Sequence, residues 1–143
     1  MQYWLMKSEP SAYSWAQLNK DGKTGWTGVR NFQASANMKK MQKGDRVFFY
    51  HSNEGLEIVG IMEVAKEYHP DPTDKTQKFG MVEVKPVAPV PTPVSMKEIK
   101  ATPALKDMVL VKNSRLSVQP VSRAEWVEVC RMGGLVPAPA SEE

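Results

Sequence analysis

The chain has 143 residues, a net charge of +3 and a single cysteine. That length suits one domain around one core, a lone cysteine excludes both an internal disulfide framework and a CxxC zinc pair, and so small a charge excludes a nonspecific nucleic-acid coat. The charge is uneven: the first 46 residues carry eight lysines and arginines against three acids, the rest eleven against thirteen. A basic first third suits a phosphate-facing surface or, equally, a solvated helix face.

No stretch approaches the ~20 apolar residues that span a bilayer, and the apolar start at Met1–Met6 is too short for a signal segment. A soluble protein with no membrane partner, cytoplasmic or, from a eukaryotic source, nuclear, is therefore the expectation. Tyr3–Lys7 alternates weakly and stops at Ser8-Glu9-Pro10, which predicts a short opening strand. Ser11 then caps a helix with Tyr13 and Ser14 in its first turn, Trp15 and Leu18 three apart on one face, and Asp21-Gly22 as its end. A second helix starts from an Asn31 cap and runs to Met41, with Ala34, Met38 and Met41 at helical spacing. Lys39, Lys40 and Lys43 lie at its C-terminal end, where the helix dipole accounts for them without any ligand.

The middle of the chain is rich in strands. Arg46–His51 is dense in aromatic and β-branched residues, Asn53-Glu54-Gly55 is a turn, and Leu56–Tyr68 keeps strand character, so the pair predicts a hairpin. Gly60 inside the second strand signals a bulge or a close backbone approach. His69–Asp74 is a loop, Gly80–Val87 the next strand, and prolines 86, 89, 91 and 93 make an extended edge that no central strand tolerates. Ser95–Ile99 and Pro103–Met108 are short helical turns, Val109–Val111 an apolar patch and Leu116–Val121 a last strand. Ser122 and Glu125 form a capping box that opens a helix ended by Gly133-Gly134. Residues 136–143 lack apolar periodicity and are expected to be a disordered tail behind a domain of residues 1–135. Strands grouped in the middle predict an α+β fold with a largely antiparallel sheet, and a sheet curled by Gly60 and the prolines favours a small barrel.

The chemistry of catalysis is missing. Cys130 sits mid-helix among Trp126, Val127 and Val129 and reads as a buried, inert thiol. His51 and His69 have no acid or cysteine at ligand spacing, and neither GxGxxG nor a P-loop occurs, so no metal, cofactor or catalytic residue is expected. Polar groups among aromatics remain. Trp26, bracketed by Gly25 and Gly28, either packs onto the core or walls a pocket on which a flat base stacks. Tyr50-His51-Ser52 closes a strand with three hydrogen-bonding side chains, and His51 is either a satisfied strand-end histidine or part of such a pocket.

Four motifs in order, Tyr3–Pro10 (YWLMKSEP), Trp26–Phe32 (WTGVRNF), Lys43–Ser52 (KGDRVFFYHS) and Leu116–Val121 (LSVQPV), make the chain resemble the EVE domain family from Tyr3 to about Leu135. The resemblance implies a PUA-like fold, a small β-barrel with peripheral helices related to the YTH and ASCH domains. It also implies a non-catalytic module that reads a modified base, such as a methylated cytosine or adenine in DNA or RNA, by flipping it into a pocket. By motif, the pocket draws on Lys7, Ser8, Trp26, Arg30, Asn31, Tyr50, His51, Ser52, Ser117 and Gln119. In that scheme Trp26 stacks on the base, Asn31, Ser52 and Gln119 read its edge, and Lys7 and Arg30 meet phosphate. The partner this implies is nucleic acid with a modified base; the oligomeric state is left open, a monomer being favoured. Two other classes compete: an ASCH-like hydrolase of modified nucleosides using Lys7 and Glu9, and an adaptor recruiting a protein through Pro86–Pro93.

Overall fold

The computed structural model describes residues 1–135, and the expectation of a disordered tail at 136–143 lies outside them. The elements run β1 (Tyr3–Ser8), α1 (Trp15–Asp21), β2 (Thr24–Gly25), α2 (Phe32–Lys40), β3 (Arg46–His51), β4 (Glu57–Pro70), β5 (Gly80–Ser95), α3 (Met96–Lys100), a 3-10 turn (Pro103–Leu105), α4 (Val109–Lys112), β6 (Val118–Val121) and α5 (Arg123–Met132). The six strands form one sheet in the order β2-β5-β4-β3-β1-β6. The α+β class holds. The barrel needs correcting: β2 and β6 stand at opposite ends of that order, so the sheet is open. With only two residues, β2 is too short to carry a closing ladder.

Every pairing is antiparallel except β1 with β3, which is parallel in the register Lys7↔Tyr50 and Ser8↔His51. Two helices lie between these strands, the crossover a parallel pair requires. Prolines 86, 89, 91 and 93 do not end β5, which runs through them. Their edge placement is nonetheless right, because β2 covers only Glu83 and Val84 on the side of β5 away from β4. Around Pro91 the strand leaves β4 and Thr92 N–H donates instead to Gly133 O at 3.0 Å.

Most local signals behave as the sequence predicts. Asn31 caps α2 by accepting from Ala34 N–H at 2.9 Å, Gly22 ends α1 in the left-handed region at φ 76°, and the Ser122–Glu125 capping box opens α5. The cap of α1 is Ser14, not Ser11, because residues 9–12 close a turn on Glu9 O first. Val109–Lys112 is a helical turn rather than only an apolar patch. At Gly60 the β3–β4 and β4–β5 registers both shift, and a Cβ there would fall inside the Trp15 indole. Bulge and close approach thus coincide.

Successive residues of β1 and β3 point to opposite sides of the sheet, and both sides are apolar. Tyr3, Leu5, Phe48 and Tyr50 join Ile99, Leu105, Leu110, Trp126, Val129 and Cys130 on one side. Trp4, Met6, Val47 and Phe49 join Leu18, Trp26, Ala34, Met38 and Met41 on the other. The sheet is a filling between two helical layers, which is why β1 alternates so weakly in sequence.

Candidate base-binding cavity

The parallel β1–β3 pair and the antiparallel β1–β6 pair bring three motifs to one end of the sheet. Lys7 N–H donates to Ser117 O at 3.0 Å, and Ser52 N–H donates to Ser8 O at 2.9 Å. Lys7, Ser8, Tyr50, His51, Ser52 and Ser117, distant in sequence, therefore converge here. Beside them opens a cavity of about 440 Å³ lined by Lys7, Ser8, Glu9, Ala12, Tyr13, Thr24, Gly25, Trp26 and Thr27. Its size falls within the range of small-molecule pockets.

Three sequence-derived residues line this cavity. The Lys7 ammonium donates to Ser114 O and lies 5.7 Å from the centre of the Tyr50 ring, and burial lowers its pKa from the usual lysine value. Ser8 Oγ donates to Tyr13 O at 2.6 Å, leaving the hydroxyl oxygen free to accept. Trp26 is only 8% exposed and meets Phe49 edge to face at 5.6 Å, while its backbone N–H donates to Val82 O. Both readings of Trp26 thus meet in one side chain: it anchors the core and walls the cavity.

Tyr50, His51 and Ser52 are not among the residues that line the cavity. Tyr50 is buried in the opposite apolar layer, and burial raises its pKa. His51 Nε2 accepts from Trp15 N–H at 3.1 Å, so it is neutral at that nitrogen and holds the start of α1. Burial lowers its pKa, partly countered by Glu57. This is the satisfied strand-end histidine, placed one step from the cavity. Gln119 is fully buried opposite Leu5, donating to Leu116 O at 2.7 Å, while its Oε1 has no hydrogen-bond partner among the described residues.

Arg30 and Asn31 are drawn elsewhere. Arg30 Nη1 lies 3.2 Å from Asp71 Oδ2 and its Nη2 donates to Thr73 Oγ1 at 3.0 Å. Asn31 Oδ1 is occupied as the α2 cap. The loop between β4 and β5 fixes this segment, since Asp71 Oδ2 also accepts from Gly28 N–H at 2.9 Å. Burial would raise the Asp71 pKa, but hydrogen bonds from Thr73, Gly28 and Arg30 outweigh it and hold the carboxyl at about 2. Asp74, bonded by Thr76, Phe79 and Lys78, is likewise held at about 2.

Glu9, which the sequence places only in the competing hydrolase, lines the cavity together with Ala12, Tyr13, Thr24 and Thr27, to which the motifs give no site role. The available signal was Ser8-Glu9-Pro10 ending a strand. A turn there must fold residues 9–13 back over the strand's end. Among the described residues, no group of three or more His, Cys, Asp or Glu is placed to hold a metal.

A family model described as the EVE domain matches residues 2–132. The chain belongs to the EVE domain family. It is 36% identical over 158 residues to thymocyte nuclear protein 1 of Rattus norvegicus, covering 87% of this chain and 70% of that protein. It superposes on the crystal structure of an Agrobacterium tumefaciens protein with a TM-score of 0.93 and 51% identity, covering 96% and 97% of the two chains. It also superposes on the human THYN1 protein, solved in complex with 5-methylcytosine containing DNA, with a TM-score of 0.86 and 32% identity, covering 93% and 98%. A YTH domain of the Zygosaccharomyces rouxii MRB1 protein, solved with N6-methyladenosine RNA, is 17% identical with a TM-score of 0.58 over 92% and 86%, a likeness of fold alone. The EVE domain thus has the PUA-type α+β architecture, here built on an open sheet.

Proposed function

We propose that this EVE domain is a binding module for nucleic acid that takes one modified base out of its strand and into the cavity beside Lys7 and Trp26. The observation that carries this reading is the make-up of the cavity. Trp26 supplies an aromatic wall, Ser8, Thr24 and Thr27 supply hydroxyls, and Lys7 supplies a cation. An extruded base needs a π face, hydrogen-bonding groups at its edge and a positive charge for the phosphates. The human relative solved with 5-methylcytosine containing DNA supports that class of ligand.

Lys7 and Glu9 line the same cavity, as a hydrolytic reading requires. Lys7 directs its ammonium at Ser114 O, however, and we read the pair as recognition groups. A 5-methylcytosine nucleoside incubated with the protein is therefore expected back unchanged, and its cleavage or deamination would establish an enzyme instead.

Ala12 tests the cavity most cleanly, because it is exposed and lines the space without belonging to a core cluster. Ala12→Phe should fill the cavity, leave the denaturant midpoint where it is, and abolish preference between two oligonucleotides differing by one 5-methylcytosine. A folded Ala12→Phe protein that keeps the wild-type preference would contradict the assignment.

A further inference from the structure

Outside the cavity lining the structure presents a second aromatic surface that the base pocket does not use. Phe32, the first residue of α2, is 70% exposed, more than any other large apolar side chain among the described residues. Its ring lies 4.8 Å from that of Phe79, tilted by 34°, and the Arg30 guanidinium lies 5.8 Å from the Phe79 centroid. Leaving so much of a phenyl ring in water is unfavourable, and packing on Phe79 covers only a small part of it.

The charge around this ring is sorted by sign. The loop's two carboxylates, Asp71 and Asp74, are buried and spent on inward hydrogen bonds: Asp71 to Gly28, Arg30 and Thr73, Asp74 to Thr76, Lys78 and Phe79. Its two lysines, Lys75 and Lys78, are exposed. The helix Phe32–Lys40 carries no acid at all. An open aromatic ring on positive ground fits a partner that is flat in its side groups and anionic along its backbone, which is a nucleic-acid strand. Thr27 at the cavity and Phe32 are five residues apart, so the two surfaces are separated by no more than about 18 Å of chain.

We propose that Phe32, backed by Phe79, is a stacking platform for a nucleobase flanking the one held in the cavity, with Lys75 and Lys78 facing the neighbouring phosphates. The platform extends the base-pocket reading and rests on it. It adds affinity for any sequence, because every base has a π face, whereas the cavity supplies the preference for the modified one.

Two short single-stranded DNAs, alike except for one 5-methylcytosine and carrying 2-aminopurine beside it, test the platform by titration and fluorescence quenching. Phe32→Ala should weaken binding to both DNAs about five-fold or more, keep their ratio, and lose the quenching, while Phe32→Tyr should behave as wild type. The melting temperature should barely move, because the ring is already exposed. Should Phe32→Ala fail to fold, Lys75→Gln combined with Lys78→Gln gives a second test. That double variant should make the dependence of log affinity on log salt shallower by roughly one to two. Wild-type affinity and quenching in a folded Phe32→Ala protein would overturn the platform, and a retained preference for 5-methylcytosine would leave the cavity reading intact. An unchanged salt dependence in the double lysine variant would also overturn it. The converse result, no preference in wild type but weaker binding by Phe32→Ala, would overturn the cavity reading and, with it, the proposal that the stacked base flanks one held there. Absence of binding to either DNA would overturn both.

Discussion

The two sides of the sheet are equally apolar but closed to different degrees. On the side of α3, α4 and α5, Trp126 stacks on Phe48 at 3.9 Å and on Tyr3 at 5.0 Å and is only 1% exposed. On the side of α1 and α2, Trp15 and Trp26 both meet Phe49 edge to face at 5.6 Å, and a cavity opens beside Trp26. Stacked and edge-to-face pairs are both favourable aromatic contacts, so the difference lies in the space left beside Trp26 and not in the ring geometry. One layer only holds the fold, whereas the other holds the fold and also lines the cavity in which we propose the base sits.

Breaking the closed side should have the largest effect on stability. Trp126→Ala is expected to cost about 3–5 kcal/mol, read as a lower denaturant midpoint, with the relative affinity for modified and plain DNA unchanged in the folded fraction. Its indole N–H has no hydrogen-bond partner among the described residues, so the loss is one of packing. A variant as stable as wild type would show that the stacked layer is not the anchor.

Gly60→Ala attacks the seam between fold and site. The added methyl meets Trp15 at the head of α1, so the indole and the turn over the cavity must shift. We expect a cost of about 1–3 kcal/mol together with a drop in affinity, measured by paired unfolding and oligonucleotide titrations. Loss of stability with unchanged binding would separate α1 from the site.

Trp26→Ala sharpens the comparison, since this side chain serves both purposes. It should lose roughly 1–3 kcal/mol of binding through the missing stack, measured on the folded protein. Its midpoint should fall too, because the ring packs on Phe49. Unaltered binding would make it a core residue only.

The smallest effects follow pH. His51 has a lowered folded pKa, so its contribution is complete above the ordinary histidine value of about 6.5 and fades as pH falls through the folded one. Asp71 and Asp74 contribute fully above the unfolded value of about 3.9 and lose that contribution as pH falls towards about 2. Thermal unfolding across pH 8 to 2 should show two separate declines. His51→Gln should remove the upper one alone, and a single decline in wild type would contradict these assignments.

Much of this arrangement is legible in the sequence wherever the determinant is local. Asn31, Gly22 and Ser122 declare helix ends through their own side chains or backbone, and the β3–β4 hairpin follows from one turn between two apolar runs. The open sheet and the parallel β1–β3 pair depend on partners far along the chain, which no window of residues encodes. The cavity was half legible. Lys7, Ser8 and Trp26 fall where the family motifs put them, but Arg30 and Asn31, adjacent in the same motif, spend their polar atoms on Asp71, Thr73 and Ala34. A motif conveys which residues stay close and not whether each faces a ligand or holds the one that does.

Amide chemical-shift mapping separates a base seated beside Lys7 and Trp26 from one seated elsewhere on the protein. On titration with single-stranded DNA carrying one 5-methylcytosine, the largest shifts are expected at Lys7, Ser8, Tyr13, Trp26 and Thr27, smaller ones with the unmodified strand, and none at Trp126 or its neighbours in α5. Equal shifts with both strands, or shifts centred on α5, would contradict the base-pocket reading.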